Sequence, residues 1–448
     1  MASPLGGLLA RPWYDRAALF LLMRWFFPLS RLWAAARASE GDCARFWDEV
    51  PMAPLPALQD RLEGVLRRFE DARAKAAAAD IRWEAVFFGS DDAAPDARVA
   101  AEQQRLAARH VYNAMRLKFA FVGATRTPPL VRWEIPTPTD VEAVHGAALA
   151  DPEAAFAPPG TMPTVTASRR VAGPGRREYW LRFRTPSPRL GDHVVARVYE
   201  PDGVSDPPTL IFAHGICVEF DHWRGTIDEV AALCRMGIRV VRPETPWHGR
   251  RAAPGRYGGE PFIAGSPLAA LDLFLAQAGE IAVLIDWCRR QGGAPVAIGG
   301  CSLGALMAQL VATRARDWPA RLRPDALFVI THCGRFEAVA TGGALSRAFG
   351  IPRAMAAHGW SAERMARWLP LLDPQGPPAM SAETIVTVLG RRDTVTPYAE
   401  GRALVERWKV PAENAFVSNL GHFSVPIGLL RDGAPLRRFA AVLKRLAG

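Results

Sequence analysis

The chain has 448 residues, 49% of them hydrophobic and 22% charged, enough apolar material for a large buried core, which excludes disorder as its main state. Its formal charge of +10 comes almost wholly from arginine, since lysine occurs only at Lys75, Lys118, Lys409 and Lys444. The basic residues are scattered without runs and no nucleic-acid-binding module is recognisable, so no nucleic-acid partner is expected. Cys43, Cys217, Cys234, Cys288, Cys301 and Cys333 form no C-x-x-C pair and lack the His/Cys spacing of a zinc site. They read as reduced thiols of a cytoplasmic protein, and neither a metal nor an organic cofactor is implied.

In chain order, Ala17 to Met23 is apolar, Arg24 interrupts, Trp25-Phe26-Phe27 follows, and Pro28 is expected to break the helix. The stretch falls short of the roughly 18 uninterrupted apolar residues of a bilayer span, and Asp15 is out of place in the basic leader of a signal peptide. Two readings of residues 17–33 stay open: peripheral contact with a membrane surface, or packing on the protein itself. Leu58, Leu62, Val65 and Phe69 then form one apolar stripe with charges between them, which predicts a helix, and Arg98 to Phe119 predicts another. Residues 1–124 are therefore read as a helical region that docks on the remainder or helps to form its pocket. Residues 125–175 are studded with proline from Pro128 to Pro174 and are read as a connector without continuous helix or central strand.

From residue 176 to 448 the pattern alternates between strand and helix. Strands are expected at Tyr179–Thr185, His193–Glu200, Thr209–Ala213, Ile238–Val241, Pro295–Gly299, Ala326–Ile330, Thr384–Leu389 and Ala415–Val417. Such alternation calls for a mostly parallel sheet with helices on both faces and ligands at the carboxyl ends of the strands.

Four segments carry chemistry, each directly after a strand. Gly300-Cys301-Ser302-Leu303-Gly304 joins a strand to a helix, and its small flanks permit the tight turn that presents a serine nucleophile. His214-Gly215-Ile216-Cys217 follows the strand ending at Ala213; a loop there can aim the Ile216 N–H, together with that of Leu303, at an oxyanion. Asp393 lies on the turn after Val388-Leu389-Gly390, and a carboxylate there can fix the tautomer of a histidine. His422 lies in Asn419-Leu420-Gly421-His422-Phe423, after the last strand. Cys301 is a rival nucleophile, but its frame lacks the closing glycine that the Ser302 frame has. His332, which also follows a strand, reads as a packed histidine.

With the order Ser302, Asp393, His422 in place, residues 176–448 resemble the α/β-hydrolase superfamily, specifically its esterase/lipase-like serine hydrolases. The resemblance implies an α/β-hydrolase fold, a mostly parallel twisted sheet of about eight strands covered on both faces. Pro243-Glu244-Thr245-Pro246-Trp247-His248-Gly249-Arg250 is similar to the D-x-P-x-H-G-x-S loop of many members, with Glu244 where Asp is commoner, and His248 and Glu244 are read as organising that loop. The pairing of this loop with His214-Gly215 resembles bacterial members that carry a helical N-terminal extension. Residues 335–380 exceed one crossover helix and are expected either to add a helix pair as a cap over the site or to pack as an ordinary crossover. The expected activity is cleavage of a small-molecule acyl ester: Ser302 attacks, His422 moves the proton, Asp393 orients His422, and an acyl-enzyme forms. An acyltransferase and a non-catalytic binding protein on the same fold are the alternatives, and the oligomeric state is not read from the sequence.

Overall fold

The computed structural model of the chain describes residues 11–90, 93–217 and 229–448. Residues 1–10 and 91–92 of the expected N-terminal region lie outside them. Among the described residues, ten strands form one sheet: β1 (Thr166–Ala167), β2 (Val171–Gly173), β3 (Arg176–Arg184), β4 (His193–Pro201), β5 (Thr209–Ala213), β6 (Arg239–Pro243), β7 (Val296–Cys301), β8 (Ala326–Ile330), β9 (Ile385–Gly390) and β10 (Ala415–Ser418). Their order across the sheet is β1-β3-β4-β6-β5-β7-β8-β9-β10, with β2 also paired to β3. Pairing is parallel from β6 through β5 to β10 and antiparallel among β1 to β4 and between β4 and β6. All eight expected strands are present, and β1 and β2 are short additions at the antiparallel end.

The central strands are apolar on both sides because both faces are covered. Along β5, Ile211 faces one core, shared with the helices Leu268–Gln291 and Leu303–Arg314. Its neighbours Leu210 and Phe212 face the other, shared with Glu229–Arg235 and Ala434–Leu446. This alternation is the period of two that a strand imposes. Leu268–Gln291 is long and apolar enough by composition to cross a membrane, but most of it is buried in the first core.

Three expectations are corrected. Pro28 does not end the first helix. The chain stays helical from Pro12–Leu21 through a π-helical turn at Leu22–Phe26, where the Phe27 N–H donates to the Leu22 carbonyl, into Phe27–Ser39, whose first turn holds Pro28 at a position that needs no N–H. The proline-rich stretch holds two helices, Pro138–Ala150 and Pro152–Ala155. Each begins with proline, where no N–H is needed, and each has a side-chain cap: Thr137 Oγ1 accepts from Asp140 N at 3.3 Å, and Asp151 from Ala154 N at 3.0 Å. Residues 335–380 contain, in place of one helix pair, a π-helical turn at Ala338–Gly342 and four short α-helices: Ala344–Phe349, Ile351–Ala357, Ala362–Ala366 and Leu369–Leu372.

Among the described residues, the N-terminal helices form their own core around Leu32, Phe46, Leu62, Phe69 and Phe119. They dock through a buried ion pair. Arg31 Nη1 donates to both oxygens of Glu260, at 2.7 and 2.6 Å, and Arg31 Nη2 to the Gly255 carbonyl at 2.5 Å; neither charged side chain has any exposed surface. Glu260 also accepts from the backbone N–H groups of Arg132 at 3.0 Å and Tyr257 at 3.2 Å. Removing Arg31 leaves the buried Glu260 carboxylate with the longer contact to Arg256, at 3.5 Å, which compensates its charge poorly. Arg31→Ala is expected to lower stability to urea by about 3–5 kcal/mol, and a loss below about 1 kcal/mol would show that the pair does not anchor the N-terminal layer.

Candidate active site

β7 runs straight into the helix Leu303–Arg314, and Ser302 makes the turn with φ 56° and ψ −118°, a conformation that side-chain-bearing residues rarely adopt. Its N–H donates to the Ile330 carbonyl at 3.1 Å and its carbonyl accepts from Ala305 and Leu306 at 3.0 Å. The turn closes only because its flanks lack Cβ atoms: one on Gly304 would strike the Ala213 carbonyl, and one on Gly300 the backbone of Gly304. Cys301 turns away from this site. Its sulfur lies 3.2 Å from Thr331 Oγ1 and packs on the opposite core.

Ser302 Oγ lies 3.0 Å from His422 Nε2, and His422 Nδ1 lies 2.9 Å from Asp393 Oδ2. Because the carboxylate can only accept, Nδ1 carries the proton and Nε2 faces Ser302 as an acceptor. Asp393 is held by more than the histidine: Oδ1 accepts from the N–H groups of Val395 and Thr396, both at 2.9 Å, and Oδ2 from Thr396 Oγ1 at 2.7 Å. Burial alone would raise the pKa of Asp393, but the attraction and hydrogen bond of His422 with the bonds from Thr396 outweigh it, and the carboxyl lies below its ordinary range.

The loops beside the elbow are organised by two histidines, His214 and His248, whose rings meet edge to face with centroids 4.8 Å apart. His214 Nδ1 donates to the Gly215 carbonyl at 2.7 Å and Nε2 accepts from Thr245 N at 3.2 Å; His248 Nδ1 donates to the Pro246 carbonyl at 2.9 Å and Nε2 accepts from Cys217 N at 3.0 Å. Burial, and then His248, push His214 far below the usual imidazole range, so it remains a neutral brace. Glu244 accepts from Arg250 N at 2.8 Å and closes the turn at Gly249. Ile216 and Leu303 both line the cavity at Ser302, and Leu303, as the first residue of its helix, has an N–H without an intrahelical acceptor. His332 lies outside the cavity lining, bonded at 2.7 Å to Gln309, and burial pushes its pKa down to about 3.

The cavity at Ser302 measures about 90 Å³ and is walled mainly by Leu306, Phe262, Phe336, Phe349, Ile351 and Met355. The last four of these belong to the segment 335–380, which therefore shapes the pocket.

Residues 224–330, which contain β6, β7 and the elbow, match the family model "Alpha/beta hydrolase domain containing 18". The chain belongs to the α/β-hydrolase superfamily. No curated protein sequence matches this α/β-hydrolase. Among solved structures it is similar to an acetyl xylan esterase from Paenibacillus sp. R4, at 15% identity and TM-score 0.45 over 69% of this chain and 96% of that one. It is also similar to an S-formylglutathione hydrolase from Agrobacterium tumefaciens, at 14% identity and TM-score 0.41 over 61% and 98%.

One residue at the site of this α/β-hydrolase was not found by sequence reasoning. Asp15, on the first helix, accepts from Phe423 N at 2.6 Å and Ser424 N at 3.4 Å, and also from Ser424 Oγ. It thus caps the helix Ser424–Arg431 directly behind His422, and a Cβ on Gly421 would lie 2.6 Å from its Oδ1. The only trace in the sequence is a lone acid in an apolar, basic stretch. Asp15→Ala is expected to lower kcat about 10–100-fold with KM little changed, because a small shift of a reacting group is costly, while Asp15→Asn keeps part of the activity. A rise in KM at constant kcat, or a lower melting temperature with kcat per titrated site unchanged, would contradict a positioning role.

Proposed function

We propose that the protein is a serine hydrolase that cleaves carboxylic esters with an apolar acyl group through a Ser302–His422–Asp393 triad. The observation that carries this reading is the unbroken hydrogen-bonded chain from Ser302 Oγ through His422 to Asp393, opening on an apolar cavity. As Ser302 attacks the acyl carbonyl, its proton passes to His422 Nε2, and the imidazolium so formed is stabilised by ionised Asp393. The negative charge on the carbonyl oxygen is met by the N–H groups of Leu303 and Ile216. His422 then returns the proton to the leaving alkoxide, and water, deprotonated by the same Nε2, cleaves the acyl-enzyme. Asp393 remains ionised throughout, so its part is to hold the tautomer and the charge. The segment 335–380 excludes water from the acyl chain and sets the chain length accepted.

Ser302→Ala is expected to lower kcat/KM for a p-nitrophenyl ester by about 10⁴-fold or more, and Asp393→Asn by about 10⁴-fold, with the fold intact by circular dichroism. In a series of acyl chains, kcat/KM should rise about fourfold per added CH₂ until the cavity is filled, which is the transfer free energy of a methylene. Activity of Ser302→Ala close to that of the parent would refute the nucleophile. A series that falls from acetate onward would refute the apolar acyl pocket alone.

A further inference from the structure

The first helix and the π-helical turn after it present two unlike faces. The inner face carries Leu22, Met23 and Phe26, which, with Phe27 at the start of the next helix, pack in one cluster with Ile216, Ile263 and Phe349, three residues that line the Ser302 cavity. The Phe27 and Phe349 rings are 4.6 Å apart. Asp15 is turned towards His422 and is occupied there. The outer face exposes Trp13 (51%), Phe20 (64%), Leu21 (55%) and Trp25 (49%). Arg11, Arg16 and Arg24 are exposed on the same segment, and Arg24 lies over the Trp25 ring at 5.4 Å. No other Trp or Phe among the described residues is exposed, so the large exposed aromatic surface is gathered on one element beside the pocket.

We propose that this outer face docks the enzyme on an anionic lipid bilayer. A bare apolar face of this size on a water-soluble surface marks an interaction site. Tryptophan, phenylalanine and leucine flanked by arginine is the composition that lies in the plane of a bilayer interface, the rings in the acyl boundary and the guanidinium groups at the headgroups. Charge selects among lipid surfaces: the segment's only acid faces inward, leaving three arginines outward, each of which gains from a negative surface potential. Burial within residues 17–33 narrows the site. Phe27, Leu29, Leu32 and Trp33 are buried in the protein, so the lipid-facing stretch is residues 11–25. Docking there places the wall of the acyl cavity against the lipid, so that an apolar acyl chain passes from bilayer to Ser302 with little exposure to water. That last consequence rests on the esterase reading; the docking surface itself does not.

The test is sedimentation with sucrose-loaded vesicles of phosphatidylcholine alone and of an equal mixture of phosphatidylcholine and phosphatidylglycerol. The full chain is compared with Phe20→Ser/Trp25→Ser, Arg16→Glu/Arg24→Glu and Ser302→Ala. The chain and its Ser302→Ala variant should partition onto the mixed vesicles at least about tenfold better than onto phosphatidylcholine. Either surface double variant should lose at least about tenfold of that binding, while its activity on a short soluble ester is unchanged. Equal partition of chain and surface variants, or no sedimentation with either vesicle, would overturn the proposal. So would a change of oligomeric state on Phe20→Ser/Trp25→Ser, which would make the face a contact between copies. Failure of the esterase reading would appear separately, as unchanged ester hydrolysis in Ser302→Ala.

Discussion

The left-handed backbone of Ser302 is the constraint on which the rest of the structure depends. Holding a serine at φ 56° costs about 1–3 kcal/mol, and it persists only where the surroundings over-determine it. Here they do. β7 lies between β5 and β8 in the parallel part of the sheet, the Ser302 N–H is taken by Ile330, and the backbone of Gly304 packs against the Ala213 carbonyl. That last contact brings the end of β5 against the start of the elbow helix, which is why the loop at His214 to Cys217 adjoins Ser302. The turns after β9 and β10 then carry Asp393 and His422 to the same edge, since parallel strands end together.

The N-terminal helices act on that edge from outside the sheet. Arg31 supplies the buried cation for Glu260, Phe27 supports Phe349 in the cavity wall, and Asp15 holds the loop behind His422. Each of these joins a residue in the first 31 to one beyond position 250, so the site of this α/β-hydrolase is built by both ends of the chain. The residue after His422 is therefore held by a carboxylate more than four hundred residues earlier.

What was legible in the sequence is what local physics dictates. A buried strand reads as a short apolar run, a strand-to-helix elbow as small residues around serine, and strand-end acids and histidines by their place after those runs. Proline marks a helix start or a break by its position, not by its density. Thr137-Pro138-Thr139-Asp140 already contains a cap followed by proline at the first helical residue, a start signal rather than a break. Pro28 reads as a break because a π-helical turn is not visible in side-chain periodicity. Asp15, Arg31 and Glu260 were out of reach for a different reason: their meaning lies in partners hundreds of positions away, which hydrophobic patterning does not encode.

The claim that Ser302 is the nucleophile, with Cys301 a packed neighbour, is tested most directly by labelling the native chain with a fluorophosphonate and mapping the adduct by mass spectrometry. One phosphonyl group per chain on Ser302, abolished in His422→Ala and retained in Cys301→Ala, is the predicted result. An adduct on Cys301, or stoichiometric labelling that survives Ser302→Ala, would contradict it.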